Sequence, residues 1–248
     1  MQEFVTLANR LADEAGKIVK DYFRTPFEVE IKGDESPVTV ADRAVEKRMR
    51  DILEKQRPDD GIYGEEYGIK DSKSGYTWVL DPIDGTKSFV IGRPTFGTLI
   101  ALCQDGVPIL GVIDQPILGE RWVGTGGTTT FNRKPVTCAP CSSLDEARIG
   151  STTPAMFGDN PVYKKFNESR FYWGGDCYHY GLMSMGFVDV ILEANMQPYD
   201  YLALVPIIDC AGGCISDFKG QGLTLESGES TVVACGDPSL FEDVKALL

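Results

Sequence analysis

The 248-residue chain is 42% hydrophobic and 25% charged, and its 24 basic against 37 acidic side chains give a formal charge of −13. That length holds one large domain or two small lobes with an ample core, and the charge disfavours a nucleic-acid backbone, or any anion unless bound cations reverse the local sign. One histidine, His179, leaves little room for a Ser-His-Asp triad, a Cys-His dyad or a multi-histidine zinc site, and seven irregularly spaced cysteines make no disulfide framework.

Residues 3 to 23 place Phe4, Leu7, Leu11, Ala15, Ile18, Val19 and Tyr22 at helical spacing, which predicts a first amphipathic helix. Its acids fit neither a secretory signal nor an Arg-rich transit peptide. No apolar stretch approaches the ~20 residues a membrane span needs, so a cytoplasmic protein without a membrane partner is expected. Phe27, Val29 and Ile31 alternate like a strand, and Gly33 and Pro37 then break the pattern. A second helix is predicted over 40 to 56, with Ala41, Val45, Met49, Ile52 and Leu53 on one face, ending before Pro58. From Trp78 to Gly124, the runs TWVL, TFGTLIALCQ, VPILGVID and RWVGTG, separated by turn signals, predict an antiparallel meander.

Cys138 and Cys141 form a CAPC pair, with no second pair or histidine nearby to complete a zinc site. Beyond residue 150 helix and strand alternate. FYW, VDVILEA and TVVACG read as strands; DCYHYGLMSM and PYDYLALVPIIDCAGG read as helices. DPSLFEDVKALL is a closing helix, with Asp237 as N-cap and Pro238 in the first turn. Two lobes are expected, 1–145 and 146–248, each with sheets covered by helices.

Four acidic islands fall at predicted element ends: Asp42, Glu65 with Glu66, Asp81 with Asp84, and Asp200. Asp81 and Asp84 follow the WVL run with no cation before Lys87. Like charges ~4 Å apart repel by about 1 kcal/mol in water and about 4 kcal/mol near a protein surface. Pro82 and Gly85 make the segment a poor helix interior, so it reads as a tight turn whose side chains converge. A divalent cation between them would offset the repulsion, and hard oxygen ligands point to Mg²⁺ rather than Zn²⁺. The plain alternative is a surface turn with capping aspartates.

GEE at 64–66, WVLDPIDGTKSF at 78–89 and YDYLALVPIIDCAGG at 199–213 resemble, in order and separation, the three signatures of the inositol monophosphatase family. The resemblance covers essentially the whole chain. It implies an α/β (α+β) fold, a layered αβαβα sandwich of the inositol monophosphatase and fructose bisphosphatase type. It also implies hydrolysis of a small-molecule phosphate monoester with two or three Mg²⁺ per site, and a homodimer. Carried over by position, Glu65, Asp81, Asp84, Asp200 and the Ile83 carbonyl would hold metal, and Glu65 would share in catalysis. Thr86 paired with Asp42 would orient the attacking water, and the N–H groups of Gly85 and Thr86 would hold phosphate oxygens. Lys32 would lie near the metals. Tyr199 replaces the family's usual Trp and Cys210 its usual Glu; neither is a ligand position.

RPTFGTLIAL, GGDCYHYG at 174–181 and QPYDYLALVP resemble the histidinol-phosphate phosphatase branch of that family. In that branch the positions of Asp176 and Glu193 face the organic part of the substrate. Two carboxylates there suit an ammonium and an imidazole, although they could also accept the hydroxyls of a polyol. Asp176 read alone could cap the next helix, and Glu193 could be merely solvated. His179 reads as a packing residue behind the site, and Arg93 as either a loop tether or a substrate contact. Histidinol phosphate is the expected substrate. The alternatives are an inositol-1-monophosphatase or broad phosphatase, a nucleotide 3′-phosphatase or sugar bisphosphatase, and a catalytically inactive binding or scaffold homologue.

Overall fold

The computed structural model describes residues 1–25, 29–31 and 37–248; Phe27 and Lys32 lie outside the described residues. Helix α1 (Gln2–Tyr22) buries Leu7, Ala8, Leu11, Ala12, Ala15 and Val19, the stripe its spacing predicts. Strands β1 (Val29–Ile31) and β2 (Pro37–Thr39) pair antiparallel and lead into α2 (Val40–Gln56). Among the described residues no helix is long and apolar enough to cross a membrane.

The next segment builds the larger sheet from β3 (Gly61–Gly64), β4 (Gly68–Lys70), β5 (Tyr76–Asp84), β6 (Gly97–Gln104), β7 (Val107–Gln115), β8 (Glu120–Thr125), β9 (Thr128–Phe131) and β10 (Lys134–Val136). A short helix, α3 (Thr86–Val90), interrupts it after β5. Their order is β10-β9-β8-β7-β6-β5-β3-β4, antiparallel except for the parallel β3–β5 pair. The second sheet comprises β11 (Ile149–Ser151), β12 (Phe171–Trp173), β13 (Val190–Met196), β14 (Cys214–Ser216) and β15 (Ser230–Cys235), in the order β12-β11-β13-β15-β14. Between and beyond these strands run α4 (Asp176–Met183), α5 (Pro198–Tyr201), α6 (Leu204–Asp209) and α7 (Phe241–Lys245).

Strand side chains alternate between faces, and the cores follow that alternation. Trp78, Leu80, Ile100, Leu102, Leu110 and Val112 pack with α1 and α2. Val79, Leu99, Ala101, Cys103 and Ile113 face the other way, onto α4 to α6, and share that cluster with Ile191, Val232 and Ala234 of the second sheet. Val190, Leu192, Val233 and Cys235 turn outward onto Phe157, Phe166, Leu240 and Val244. The layers are helix, sheet, helix, sheet, helix: the expected αβαβα sandwich.

Three local expectations change. The antiparallel meander continues through β9 and β10, and β3 and β4 widen the sheet on the other side through the parallel β3–β5 pair; all four are too short or too polar to declare themselves. The long helix expected after Pro198 is two, because the ring of Pro206 clashes with the carbonyl four residues back, at Leu202, where the chain breaks between α5 and α6. The closing helix starts as a 3-10 turn at Pro238–Leu240, with the Asp237 side chain accepting from the Ser239 N–H at 2.9 Å, before α7 begins.

Candidate active site and metal centre

The DPID segment is not a turn. Strand β5 runs through it to Asp84, and the left-handed turn comes only at Gly85, with φ 79°. Asp81 pairs with Leu99 of β6 and Asp84 with Gly97, so three steps along β5 oppose two along β6. In a regular strand residues three apart point to opposite faces. The bulge at Pro82–Ile83 inserts one residue and returns Asp84 to the face of Asp81. Ile83 takes the other face, buried with α1 and α2. Thr98 secures the bulge by donating its hydroxyl to the Pro82 carbonyl at 2.8 Å.

The shared face looks onto the middle helices, and there the acidic islands converge. Carboxylate oxygens of Asp81, Asp84 and Asp200 lie within 4.8 Å of one another. Asp200 arrives on the first turn of α5, where it accepts the Gln197 N–H at 2.7 Å. Glu65 leaves the end of β3, its N–H bonded to the Leu80 carbonyl at 3.2 Å, and Asp42 is buried in the first turn of α2. Burial first, then the charges of Glu65, Asp84, Asp200 and Asp42, hold the Asp81 carboxyl well above the usual aspartate range. Burial, with the charges of Asp176 and Asp200, does the same to Asp84, although the Cys177 N–H donates to it at 2.7 Å. Burial pushes Asp200 up to about 7.

This donor set fits a hard divalent cation. It is all oxygen, mutually repelling and desolvated, and Asp81 Oδ1 is buried without a hydrogen-bond partner. Thr86, first residue of α3, donates its hydroxyl to the Ile83 carbonyl at 3.1 Å, so both expected neighbours of the cluster are in one small ring of chain.

Beside the cluster stands a second acidic pair. Asp176 opens α4 in a left-handed conformation, φ 46°, rare for a residue with a side chain. Its Oδ2 accepts hydroxyls from Ser88 at 2.5 Å and Thr95 at 3.1 Å. Glu193 is buried on β13, accepting from Thr152 at 2.5 Å and Tyr180 at 3.3 Å. Burial, with the charges of Asp176 and Asp200, pushes Glu193 up to about 7 against the pull of those hydroxyls. Neither acid is a solvated surface group. Arg93 tethers the loop after α3 to the turn before α4, donating to the Gly174 carbonyl at 2.7 Å. His179 is buried against Gly150 and Gly175, where an added Cβ would come within 2.8 and 2.1 Å of its ring. Burial and the nearby Arg93 hold it down to about 4, so the imidazole is neutral at pH 7.

Several site residues went unnoticed in the sequence. Glu46, fully buried, accepts from Arg50 at 2.7 Å and from the N–H groups of Glu66 at 2.6 Å and Tyr67 at 3.2 Å, anchoring the turn that carries Glu65. A signal existed: Glu46 lies inside the stripe of Asp42, Val45 and Met49, where an acid is out of place. Ser88, Thr95, Thr152 and Tyr180 carried none, being ordinary residue types distant in sequence from the acids they hold.

The family model for the inositol monophosphatase family matches residues 1–247. The chain is 43% identical to the chloroplastic bifunctional phosphatase IMPL2 of Arabidopsis thaliana, over 98% of its own length and 74% of that protein's. It is 37% identical to a histidinol-phosphatase of Chlorobaculum parvum, over 92% and 90% of the two lengths. Among solved structures, an inositol monophosphatase from Zymomonas mobilis superposes with a TM-score of 0.90 at 43% identity, covering 99% of this chain and 97% of that one. The chain belongs to the inositol monophosphatase family of phosphatases.

Proposed function

We propose that the protein is a Mg²⁺-dependent histidinol-phosphatase of the cytoplasm, converting histidinol phosphate and water to histidinol and phosphate, and acting as a homodimer. The observation that carries the substrate assignment is the buried pair Asp176 and Glu193, fixed by four hydroxyls beside the acidic cluster. Oriented carboxylates select a ligand carrying an ammonium group and an imidazole, because charge-assisted hydrogen bonds are about twice as strong as neutral ones. The histidinol-phosphatase similarity supports the same choice.

Glu65, Asp81, Asp84, Asp200 and the Ile83 carbonyl would hold Mg²⁺. When bound, the ions supply the positive charge that attracts a phosphate to an acidic protein and lower the pKa of water. The chain's own residues do the rest. The N–H groups of Gly85 and Thr86 bind phosphate oxygens at the start of α3. The Thr86 hydroxyl, with Asp42, orients the water for in-line attack. Asp176 and Glu193 hold the organic part so that the ester oxygen lies opposite that water. No covalent nucleophile is required, in keeping with phosphoryl transfer as a matter of positioning and charge.

A second reading, inositol-1-monophosphatase, is favoured by the 43% identity to the Zymomonas mobilis enzyme. Phosphate release from L-histidinol phosphate and inositol 1-phosphate, each with Mg²⁺ and with EDTA, separates the two. A preference of about a hundredfold for histidinol phosphate, worth about 2.7 kcal/mol, abolished by EDTA, is expected. Equal or better turnover of inositol phosphate would overturn the substrate assignment and leave the metal site standing. EDTA-resistant activity would overturn the metal site.

A further inference from the structure

Cys214 and Cys235 stand directly opposite each other across the antiparallel β14–β15 pair. Directly opposed residues have Cα atoms about 4.5 or 5.5 Å apart, and both separations lie inside the about 4.4–6.8 Å that a disulfide spans. β14 is an edge strand, and Cys214 is half-buried while Cys235 is buried. The CAPC pair has no such geometry. Cys138 packs against the middle-layer cluster and Cys141 against the outer one.

We propose that Cys214 and Cys235 form a reversible dithiol–disulfide site for small-molecule disulfides, with Cys214 the attacking thiol and Cys235 the resolving one. The Cys235 S–H donated toward Cys214 holds the Cys214 thiol below its ordinary value and Cys235 above it. Burial instead pushes Cys103 up to about 12 and Cys138 up to about 11. The thiolate is the nucleophile in exchange, and Cys214, half-buried on the edge strand, is the member of the pair that a disulfide in solution reaches. Its sulfur attacks one sulfur of a disulfide RSSR, giving a mixed disulfide and releasing RS⁻. Cys235 then attacks the Cys214 sulfur, closes the bond and expels the second RS⁻. The two protons lost by the cysteines leave on the two RSH molecules, and the two electrons lost by the protein reduce RSSR. The bond staples the edge strand to its neighbour. Glu193 pairs with Val232, three residues from Cys235 and about 10 Å along the strand, so the site is separate from the phosphatase reading and does not depend on it.

The test is mass spectrometry of the full-length protein incubated with oxidised glutathione. The expected result is an intact mass lower by about 2 Da and a cross-link mapping to Cys214 and Cys235, reversed by dithiothreitol. Cys235→Ser should trap one glutathione on Cys214, and Cys214→Ser should give neither adduct nor cross-link. In reduced wild-type protein, which needs no variant to fold, iodoacetamide should label Cys214 before the other six. No cross-link, a bond mapped to Cys138–Cys141, an adduct on Cys235 in the Cys214→Ser protein, or another cysteine labelled first would overturn the proposal.

Discussion

Replacing Gly85 by alanine tests whether the bulged strand and Asp176 are as closely joined as the structure has them. Gly85 sits at φ 79°, and an added Cβ would lie 2.8 Å from Asp176 Cγ and 2.9 Å from its Cβ and Oδ2. Two costs follow. The left-handed backbone costs alanine about 1–2 kcal/mol, offset by about 0.4–1 kcal/mol from a stiffer unfolded chain. The new methyl also drives Asp176 away from Ser88 and Thr95, and hydrogen bonds to a charged group contribute about 1.5–3 kcal/mol each. Gly106 supplies the control: at φ +83° it shares the backbone cost, yet nothing lies within 4 Å of its added Cβ. In urea denaturation of the metal-free protein, Gly106→Ala should lose about 1 kcal/mol and Gly85→Ala about 3–6 kcal/mol more. With Mg²⁺, Gly85→Ala should also raise KM for histidinol phosphate. Equal stability losses for the two variants would refute the contact between Gly85 and Asp176, and with it the placement of Asp176 against the turn that ends β5.

Asp84→Asn should cut phosphate release by about a hundredfold, worth about 2.7 kcal/mol, while raising the thermal midpoint in EDTA, since a neutral amide replaces a carboxyl whose ionised form burial and the charges of Asp176 and Asp200 disfavour; a lower midpoint would count against the repulsion. Glu46→Ala takes the buried carboxylate away from Arg50, which keeps the Gly68 carbonyl, and from the N–H groups of Glu66 and Tyr67, for an expected loss of about 3–5 kcal/mol in urea titration; a loss below about 1 kcal/mol would mean the Glu65 turn does not depend on it. Glu193, pushed up to about 7 by burial, keeps its proton in the fold over a range where the unfolded chain has lost it. The native state then binds more protons, so this group's contribution to stability declines from about pH 4.5 to about pH 7 and totals up to about 3 kcal/mol. Metal-free wild type should therefore lose more stability than Glu193→Gln between pH 5 and pH 8, and parallel pH profiles would show that Glu193 does not titrate there.

The parts of the fold legible in the sequence were those whose burial is periodic or continuous over a long run. Helix α1 shows its stripe across 21 residues, and β5 to β7 are strands buried on both faces. Short strands such as Gly68–Lys70 and Ile149–Ser151 exist because neighbours pair with them, which no local pattern records. Asp81 and Asp84 stood out because unpaired acids after an apolar run demand an explanation. Their shared face did not, because Pro82 and Gly85 signal a turn, and only the register against β6 turns that signal into a bulge. The hydroxyls of Ser88, Thr95, Thr152 and Tyr180 lay beyond reach for the same reason. Their role comes from bringing together positions up to 88 residues apart in the chain.

The bulge at Pro82–Ile83 is the place in β5 where one residue can be lost without turning either aspartate away. A codon deleted at either position restores an unbroken pairing with β6 and leaves Asp84 opposite Gly97 on the face of Asp81, whereas a codon deleted elsewhere in β5 shifts the register and turns the side chains on one side of the cut to the opposite face. A deletion library through this strand should therefore show one tolerated notch at 82–83 between intolerant neighbours, and when chains of this kind are aligned, a one-residue gap placed there keeps both aspartates on one face, whereas the same gap earlier in the strand does not.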